Sequence, residues 1–404
     1  MNILKKAYCR SFQFVFKMAL PLLPYREPKI LTNNADVANT LKQNNKQKPL
    51  LVTDQGLARL NLFANLKTTL EQSGITVVVF DETIPNPTTQ NVEDALKLYK
   101  KEKCDCLIAF GGGSSMDCAK AVGARIAYPN KPLSKMKGVM KVTKKIPLLI
   151  AVPTTAGTGS ETTLAAVITD SKTRHKYAIN SFPLIPTYAL LDANLTIGLP
   201  PHITSTTGMD ALTHAVEAYI GRSTTSTTRQ CAEKATKLIF ENLLIAYNDG
   251  KNIKARQNML SAAYYAGVAF TKSYVGYVHA IAHSLGGKYN IPHGLANAII
   301  LPYVLKMFGK SCHKKLWKLG VASNLFPKQT PISQGAELFI KKVEELNASM
   351  NIPNNIPEIN EADITTLAKT AEHEANPLYP VPKLLTAKEL EVIYYQVKNG
   401  QIWK

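Results

Sequence analysis

The sequence predicts a protein of two domains, an N-terminal α/β domain built on a parallel sheet and a C-terminal domain made only of helices. The chain has 404 residues, of which 45% are apolar and 19% are charged, so it is long and apolar enough for two packed cores. Its first half alternates short apolar runs with stretches of helical periodicity. Its second half contains long helical patterns and no comparable apolar run, and the Pro200-Pro201 pair marks the change.

The apolar runs of the first half are typical of strands that are buried on both faces. Four are found, at residues 49–53, 76–80, 106–110 and 146–152. Helical periodicity separates them, for example over Leu57–Gln72 and Asn91–Lys101. Because apolar strands that alternate with helices form parallel sheets, we expect a Rossmann-like sheet covered by helices on both sides. Strand alternation also predicts that Cys104 and Cys106 share one face of it.

The second half predicts helices at residues 211–220, 228–247, 255–270 and 337–346. The expected organisation is therefore a basic and apolar arm over residues 1–25, the α/β domain over 26–200 and the helical domain over 201–404. The arm superficially resembles a signal peptide, but Lys17 interrupts its apolar part and no small-residue cleavage site follows. We expect it to dock on the body of the protein or on a partner subunit rather than on a membrane.

Composition excludes several classes of protein. No apolar run approaches the roughly 20 residues that span a bilayer. Six cysteines in a chain of this length are too few for a disulfide scaffold, so reduced thiols in the cytoplasm are expected. The net charge of +19 raises nucleic-acid binding as an alternative, but the lysine-rich stretch Lys131–Lys145 has no aromatic residue to stack on a base. We interpret that stretch as a solvated surface loop.

A glycine-rich segment follows the third apolar run. Phe110 is followed directly by Gly111-Gly-Gly-Ser-Ser-Met-Asp-Cys-Ala-Lys120. Glycines let the backbone approach a phosphate closely, and a helix that begins near Ser115 directs free amide groups toward it. Ser114 followed by Asp117 is typical of a capping box with Ser114 as the N-cap. The segment matches neither the usual dinucleotide fingerprint nor the Walker pattern, so a glycine turn used only for its geometry is the alternative.

A second turn of similar composition, Pro153-Thr-Thr-Ala-Gly-Thr-Gly-Ser-Glu161, follows the fourth apolar run. The carboxyl ends of parallel strands meet at one edge of a sheet, where the ligands of open α/β folds bind. We therefore expect the two turns to lie together and to bind a phosphate-containing ligand.

Histidines and a carboxylate are concentrated in two windows of the second half. One window places Asp210 and His214 four residues apart, on one face of a helix, and the other contains His279, His283 and His293. One carboxylate with neutral imidazoles is a ligand set that Fe(II) and Zn(II) prefer. The spacing leaves open whether His279 or His283 is the third ligand from a helix, and the spare histidine is a candidate proton relay.

Together these motifs resemble the iron-containing alcohol dehydrogenase family, also called the group III alcohol dehydrogenases. The matching segments occur in order at residues 85–87, 111–120, 153–161, 208–217 and 278–294, and the resemblance covers about residues 26–400. It implies a dinucleotide-binding α/β domain, then a helical metal-binding domain, with the active site in the cleft between them. Two features depart from the family: Ser284 stands where proline is usual, and the arm is not part of the common core.

The resemblance also implies roles for individual residues. The implied metal ligands are Asp210, His214, His279 and His293. His283 matches a catalytic, non-ligand histidine near the nicotinamide. The implied cofactor contacts are Asp54, Asn86, Gly111, Gly112, Gly113, Ser114, Ser115, Thr154, Thr155, Val167 and Lys176.

The expected function is the NAD(P)-linked interconversion of a primary alcohol and its aldehyde by hydride transfer, with Fe(II), or alternatively Zn(II), as a Lewis acid. NAD(H) is expected rather than NADP(H), because a carboxylate at Asp54 accepts hydrogen bonds from the ribose and repels a 2′-phosphate. We expect a cytoplasmic homo-oligomer, a dimer or larger, with a small-molecule substrate, no nucleic acid and no transmembrane segment. The alternatives are a zinc-dependent polyol dehydrogenase or a cyclising synthase on the same scaffold and, in a different class, a basic nucleic-acid-binding protein.

Overall fold

The computed structural model describes residues 2–173 and 175–401. The chain divides into two compact units, one formed by Pro24–Ile197 and the other by Met1–Leu23 together with Gly198–Lys404. The N-terminal arm therefore belongs, by its contacts, to the helical unit.

The strands are, in chain order, β1 Lys29–Leu31, β2 Pro49–Val52, β3 Val78–Phe80, β4 Cys106–Gly111, β5 Gly138–Val139, β6 Leu149–Pro153, β7 Ala165–Thr169, β8 Lys176–Asn180 and β9 Tyr188–Leu190. The α-helices are α1 Ile3–Ala19, α2 Asn34–Gln43, α3 Gln55–Arg59, α4 Ala64–Gln72, α5 Thr89–Lys101, α6 Gly113–Ala127, α7 Pro201–Ile220, α8 Ser226–Asn248, α9 Ile253–Ser273, α10 Tyr277–Tyr289, α11 His293–Phe308, α12 Lys310–Ala322, α13 Ile332–Ser349, α14 Glu361–Ala375 and α15 Ala387–Asn399.

The α/β unit contains the predicted parallel sheet. Six strands pair in the order β1-β9-β6-β4-β2-β3, all parallel. Every residue of β2, β4 and β6 is buried, which explains why these strands are uninterrupted apolar runs. A second sheet of three strands, β5-β8-β7, was not predicted because its strands are short or have half-buried, polar positions. The predicted fold class is confirmed.

Two local predictions in this unit are wrong. Cys104 packs with Leu107 in the core on one side of the sheet, whereas Cys106 packs with Ile108 and Phe110 on the other. Cys104 precedes β4, so strand alternation does not apply to it. The predicted helix over Leu57–Gln72 is divided into α3 and α4, because Asn61 between them has a φ of 53°, in the left-handed region that asparagine tolerates.

The helical unit is organised around α7. This helix begins at Pro201, where proline fits the first turn of a helix, and it packs against α8, α9 and α11. Its residues from Gly208 to Ile220 are all buried, so it lies in the interior of the unit. α10 packs against α11 and α14. No β-strand occurs in the described part of this unit, in agreement with the expected all-helical architecture.

The arm forms α1 and docks on the helical unit of the same chain. Cys9 and Gln13 are buried, and Arg10 donates to the backbone carbonyls of Val381 and Pro382 at 2.8 and 2.9 Å. None of the described helices is both long enough and apolar enough to span a membrane.

Candidate active site

Three predicted metal ligands meet inside the helical unit. α7 supplies Asp210, α10 supplies His279, and α11 begins at His293. Their ligand atoms all lie within 4.8 Å of one another. Asp210 Oδ1 is 3.9 Å from His279 Nε2 and 3.6 Å from His293 Nε2. The consecutive helices α10 and α11 and the more distant α7 therefore bring one carboxylate and two imidazoles to one place.

The fourth predicted ligand, His214, lies beside this group. It follows Asp210 by one helical turn, and its side chain is buried. Its ring stacks on that of His279, with centroids 4.6 Å apart, and on Phe270 at 4.1 Å. His214 is not among the three residues whose ligand atoms lie within 4.8 Å of one another.

The donor atoms present fit a bound cation. His279 is only 2% exposed, yet its Nε2 has no hydrogen-bond partner among the described residues. Burial, and then the nearby imidazoles of His214, His293 and His283, lower the pKa of His279 well below its ordinary value. The ring is therefore neutral near pH 7, which is the form that binds metals.

Glu217 orients His279, a role that the sequence analysis did not assign. Its Oε2 lies 2.6 Å from His279 Nδ1, and the carboxylate also accepts hydrogen bonds from the backbone N–H groups of Gly276 and Val278 at 2.7 and 2.8 Å. A Cβ at Gly276 would lie 2.5 Å from Glu217 Oε1, so glycine is needed for this approach. Burial raises the pKa of Glu217 to about 8, against the effect of the backbone N–H donors. When Glu217 is ionised, its carboxylate accepts from Nδ1 and so fixes the tautomer that leaves Nε2 free for a metal.

Asn297 is the second residue that the sequence analysis missed. It lies one turn after His293 on α11, and its Nδ2 donates to Asp210 Oδ1 at 2.7 Å. The same nitrogen is 3.1 Å from His293 Nε2. The spacing of Asp210 and Glu217, seven residues on one helical face, and of His293 and Asn297, four residues apart, was the available signal for both residues.

His283 lies outside the group of three, which includes His279, the other candidate that spacing left open. Its side chain is 44% exposed and its ring stacks on that of His293, with centroids 5.2 Å apart. His283 Nδ1 is 2.7 Å from Glu374 Oε1, which also accepts a hydrogen bond from Tyr379. Burial opposes ionisation of Glu374, but the charge and hydrogen bond of His283 lower the pKa of Glu374 below its ordinary value.

The two predicted turns of the α/β unit lie side by side. β4 pairs with β6 so that Gly111 is opposite Pro153, and the Thr154 N–H donates to the Gly111 carbonyl at 3.1 Å. Gly111 has a φ of 145°, and a Cβ there would lie 2.5 Å from Ser115 Oγ. Glycine is therefore required at the end of β4, and both turns follow the carboxyl ends of neighbouring parallel strands.

The predicted capping box at Ser114 and Asp117 is wrong. α6 begins at Gly113 rather than near Ser115, and its N-cap is Gly112, which has no side chain to accept the first amides. Ser114 Oγ instead accepts from the Asn86 N–H at 3.3 Å, and Asp117 is turned inward to Ser160. Since a glycine cap leaves the amides of the first turn without a side-chain acceptor, this terminus retains the features of an anion site.

The other predicted cofactor residues occupy the neighbouring loops and the second sheet. Asp54 follows β2 and caps α3, accepting from the Leu57 N–H at 3.0 Å. Asn86 has a φ of 55° and accepts from Lys176 Nζ at 2.6 Å. The remaining three are Thr155 in the second turn, Val167 in β7 and Ser115 in α6.

A buried group of charges behind the second turn was not predicted. Lys120 is fully buried, and its ammonium is shared among five oxygen atoms of Ser160, Thr163 and Ala165, at 2.7–3.1 Å. Burial lowers the pKa of Lys120 to about 8. Burial also raises the pKa of Asp117 to about 6 and that of Glu161 to about 7. This group fastens the second turn to α6.

Comparisons with known proteins agree with the motifs in both units. Residues 29–193 match the family model described as iron-containing alcohol dehydrogenase, and residues 204–397 match that of the Fe-containing alcohol dehydrogenase family, C-terminal. The 1,3-propanediol dehydrogenase of Citrobacter freundii is 39% identical over 354 residues, which are 87% of this chain and 91% of the relative. The NAD-dependent methanol dehydrogenase of Bacillus methanolicus is 37% identical, over 83% of this chain and 88% of the relative.

The fold is similar as well. A crystal structure of a 1,3-propanediol oxidoreductase superimposes with a TM-score of 0.88 at 34% identity, over 92% of this chain and 99% of that one. The comparisons give no support to nucleic-acid binding or to a polyol dehydrogenase. They confirm the resemblance that the motifs carried: this chain belongs to the iron-containing alcohol dehydrogenase family and is an oxidoreductase that interconverts alcohols and aldehydes.

Proposed function

We propose that the protein interconverts a primary alcohol and its aldehyde with NAD(H) as the hydride carrier and a divalent metal in the helical unit. The observation that carries the proposal is the group of Asp210, His279 and His293, in which Asp210 and His279 are buried and His279 Nε2 has no hydrogen-bond partner among the described residues. The NAD-dependent relative at 37% identity supports the choice of cofactor.

The proposed metal ligands are Asp210, His214, His279 and His293. Fe(II) is the proposed ion and Zn(II) the alternative, since both suit one carboxylate with imidazoles. When bound, such an ion acts as a Lewis acid on the oxygen of the alcohol or aldehyde. Glu217 holds the His279 ring with Nε2 turned toward the site, and Asn297 holds the carboxylate of Asp210. These contacts preorganise the ligands, so little ordering remains when the ion arrives.

His283 is the proposed proton relay. Its ring is partly exposed, and Glu374 holds its Nδ1, so Nε2 is left to exchange a proton between the reacting oxygen and solvent. The glutamate stabilises the charged ring while it carries the proton.

The cofactor is proposed to lie along the edge of the parallel sheet. When bound, the nicotinamide supplies or accepts the hydride. The first turn of α6 and the glycines of residues 111–113 bind the pyrophosphate through backbone amides, and Ser114, Ser115, Thr154 and Thr155 offer hydroxyl groups. Asp54 binds the adenosine ribose and disfavours NADP(H), while Asn86, Val167 and Lys176 complete the contacts.

Reduced cysteine thiols are expected in a cytoplasmic enzyme. The six cysteines are all free thiols, and five of them are buried. We propose a cytoplasmic homo-oligomer, a dimer or larger, that acts on small molecules and does not bind nucleic acid.

One experiment tests the proposal. Purified protein is loaded anaerobically with Fe(II) or Zn(II), and NADH oxidation is followed against a panel of aldehydes. We expect turnover that requires the metal. The proposal is wrong if no aldehyde is reduced with either ion while NADH binds normally. Retention of nucleic acid in a salt-dependent manner, without any NADH oxidation, would favour the nucleic-acid alternative instead.

A further inference from the structure

The N-terminal helix α1 presents an apolar face to solvent. At 100° per residue, one half of its circumference contains no charged side chain. We call this half the outer face, formed by Ile3, Leu4, Ala7, Tyr8, Ser11, Phe12, Phe14, Val15 and Met18. Ile3 is 85% exposed, Leu4 81%, Val15 67% and Phe14 64%. A contiguous apolar surface of this kind marks an interaction site in soluble domains.

The helix cannot turn this face inward, because its opposite side is fixed to the body. Arg10 donates to Val381 and Pro382, and Gln13 Nε2 donates to the carbonyls of Pro377 and Tyr379 at 3.1 and 2.8 Å. Lys5 pairs with Glu372 at 2.7 Å. Phe16 packs edge-on against Tyr274, and Cys9 is buried. Rotation of α1 would break all of these contacts, so its outward orientation is part of the fold.

Cations border the outer face. α1 contains four basic residues and no acidic residue, and Lys6 and Lys17 are exposed beside the apolar half. Arg222, Arg229 and Lys315 belong to the same unit as α1. Burial, and then the charges of Arg229, Lys17 and Arg222, lower the pKa of Lys315 to about 8. The apolar face therefore has a positively charged border.

We propose that the outer face of α1 docks the enzyme on an anionic lipid surface. An apolar half with Phe, Leu, Val and Met inserts into the boundary of headgroups and acyl chains, while bordering lysines and arginines attract the anionic headgroups. Seventeen residues give a helix about 25 Å long, which lies in the plane of a membrane and does not cross it. The cytoplasmic leaflet has the required negative charge.

A second copy of the chain fits this face less well. Pairing of two α1 helices would bring together the exposed Lys6 and Lys17 of both copies, with no acidic residue on either helix. Like charges in that arrangement repel, whereas a bilayer that contains anionic lipid attracts them. Charge complementarity therefore selects the lipid surface as the occupant.

Vesicle flotation of the full-length protein tests the proposal. Vesicles of phosphatidylcholine alone are compared with vesicles that contain about 30 mol% phosphatidylserine. We expect at least about tenfold more protein on the anionic vesicles, and less at about 0.5 M salt than at about 0.1 M. Phe14→Ser with Val15→Ser, and separately Lys6→Glu with Lys17→Glu, should each reduce binding by about tenfold.

Matched controls change similar residues elsewhere. Leu60→Ser with Ile332→Ser removes two exposed apolar side chains, and Lys97→Glu with Lys100→Glu reverses two exposed charges on α5. Both controls should bind vesicles like the wild type, and all four variants should reduce aldehydes at the wild-type rate. If Phe14→Ser with Val15→Ser disturbs the helix, Leu4→Ser with Met18→Ser tests the same face.

Two results would overturn the proposal. One is equal binding of the wild type to neutral and anionic vesicles, or none to either. The other is a lower mass of the Phe14→Ser, Val15→Ser variant in sedimentation without lipid, since a second copy of the chain would then cover the outer face.

Discussion

Two buried groups of titratable side chains, one in each unit, differ in how their polar atoms are satisfied. In the α/β unit, Lys120 is surrounded by five acceptors, and Asp117 accepts from Ser160. In the helical unit, His279 is equally buried, but its Nε2 has no hydrogen-bond partner among the described residues. We call the group around Lys120 the closed group, because its ammonium is fully hydrogen-bonded within the protein, and such a group stabilises the fold. We call the group around His279 the open group, because one buried polar atom has no partner there, and such a group has room for a ligand. Burial and a shifted pKa alone do not separate the two cases.

The largest effect that this comparison predicts is at the open group. His279→Ala and His293→Ala should each lower bound metal by about tenfold or more and turnover by about a thousandfold, because each removes a proposed ligand. NADH binding should change by less than about twofold, since the proposed cofactor residues belong to the α/β unit. Elemental analysis and NADH fluorescence titration measure the two properties.

His313→Ala on α12 is the matched control, and it should keep its metal. Unchanged metal content in both His279→Ala and His293→Ala would show that the ligand assignment is wrong.

At the closed group, Lys120→Met should reduce stability without affecting the metal. The substitution leaves Asp117 and Glu161 buried without a cation and removes the hydrogen bonds that hold the second turn. Loss of a buried hydrogen-bonding partner costs about 1–3 kcal/mol of the free energy of unfolding, and more when the lost group is charged. Urea denaturation measures the free energy of unfolding. As a control, Lys97→Met at an exposed position of α5 should change it by less than about 0.5 kcal/mol. A loss of metal equal to the loss of stability would contradict the separation between the two groups.

His283 should behave unlike its neighbour His279. His283→Ala should keep the bound metal and lower kcat by about a hundredfold, the size of effect expected from loss of a proton relay. Kinetics and elemental analysis on the same preparation measure both. Loss of metal as large as in His279→Ala would show that the two roles are reversed.

The sequence was sufficient for four of the six strands of the main sheet and for the donor types, but not for β1, β9 or the contacts among the donors. Buried strands such as β2 and β4 are apolar throughout and can be predicted from that pattern, whereas the strands of the second sheet have no such pattern. Asp210 and His214 could be found by spacing within one helix. Glu217 and Asn297 share a helix face with Asp210 and His293, but their contacts cross to another helix, so local spacing alone does not assign their roles. The role of Lys120 could not be predicted for the same reason, because its hydrogen-bond acceptors come from residues 160–165.

Glu161 allows a pH test of the closed group. Burial raises its pKa to about 7 from an ordinary value of 4.5. Between these pH values the native carboxyl keeps its proton while the unfolded one loses it, so the free energy of unfolding falls as pH rises through this window. Glu161→Gln should reduce that fall by on the order of 2 kcal/mol between pH 4.5 and 7. Urea titrations at several pH values measure the free energy of unfolding, and Glu71→Gln, at an exposed glutamate, is the control. Equal pH dependence in the wild type and in Glu161→Gln would contradict the raised pKa of Glu161.

The smallest predicted effect concerns Asp54, where the structure sharpens the test. Its carboxylate caps α3 through the Leu57 N–H, so Asp54→Gly would remove a cap as well as a charge. Asp54→Asn keeps the cap, because asparagine is as good an N-cap as aspartate, and removes only the charge. Two like charges about 4 Å apart near a protein surface repel by several kcal/mol before solvent and neighbouring lysines weaken the effect. We therefore expect the wild type to prefer NADH by at least about tenfold in kcat/KM, or about 1.4 kcal/mol, and Asp54→Asn to lose most of that preference. Asp192→Asn, at another aspartate N-cap of the same unit, should leave the preference unchanged. If Asp54→Asn also leaves it unchanged, Asp54 serves only as a cap, and the choice between NADH and NADPH is made by other residues.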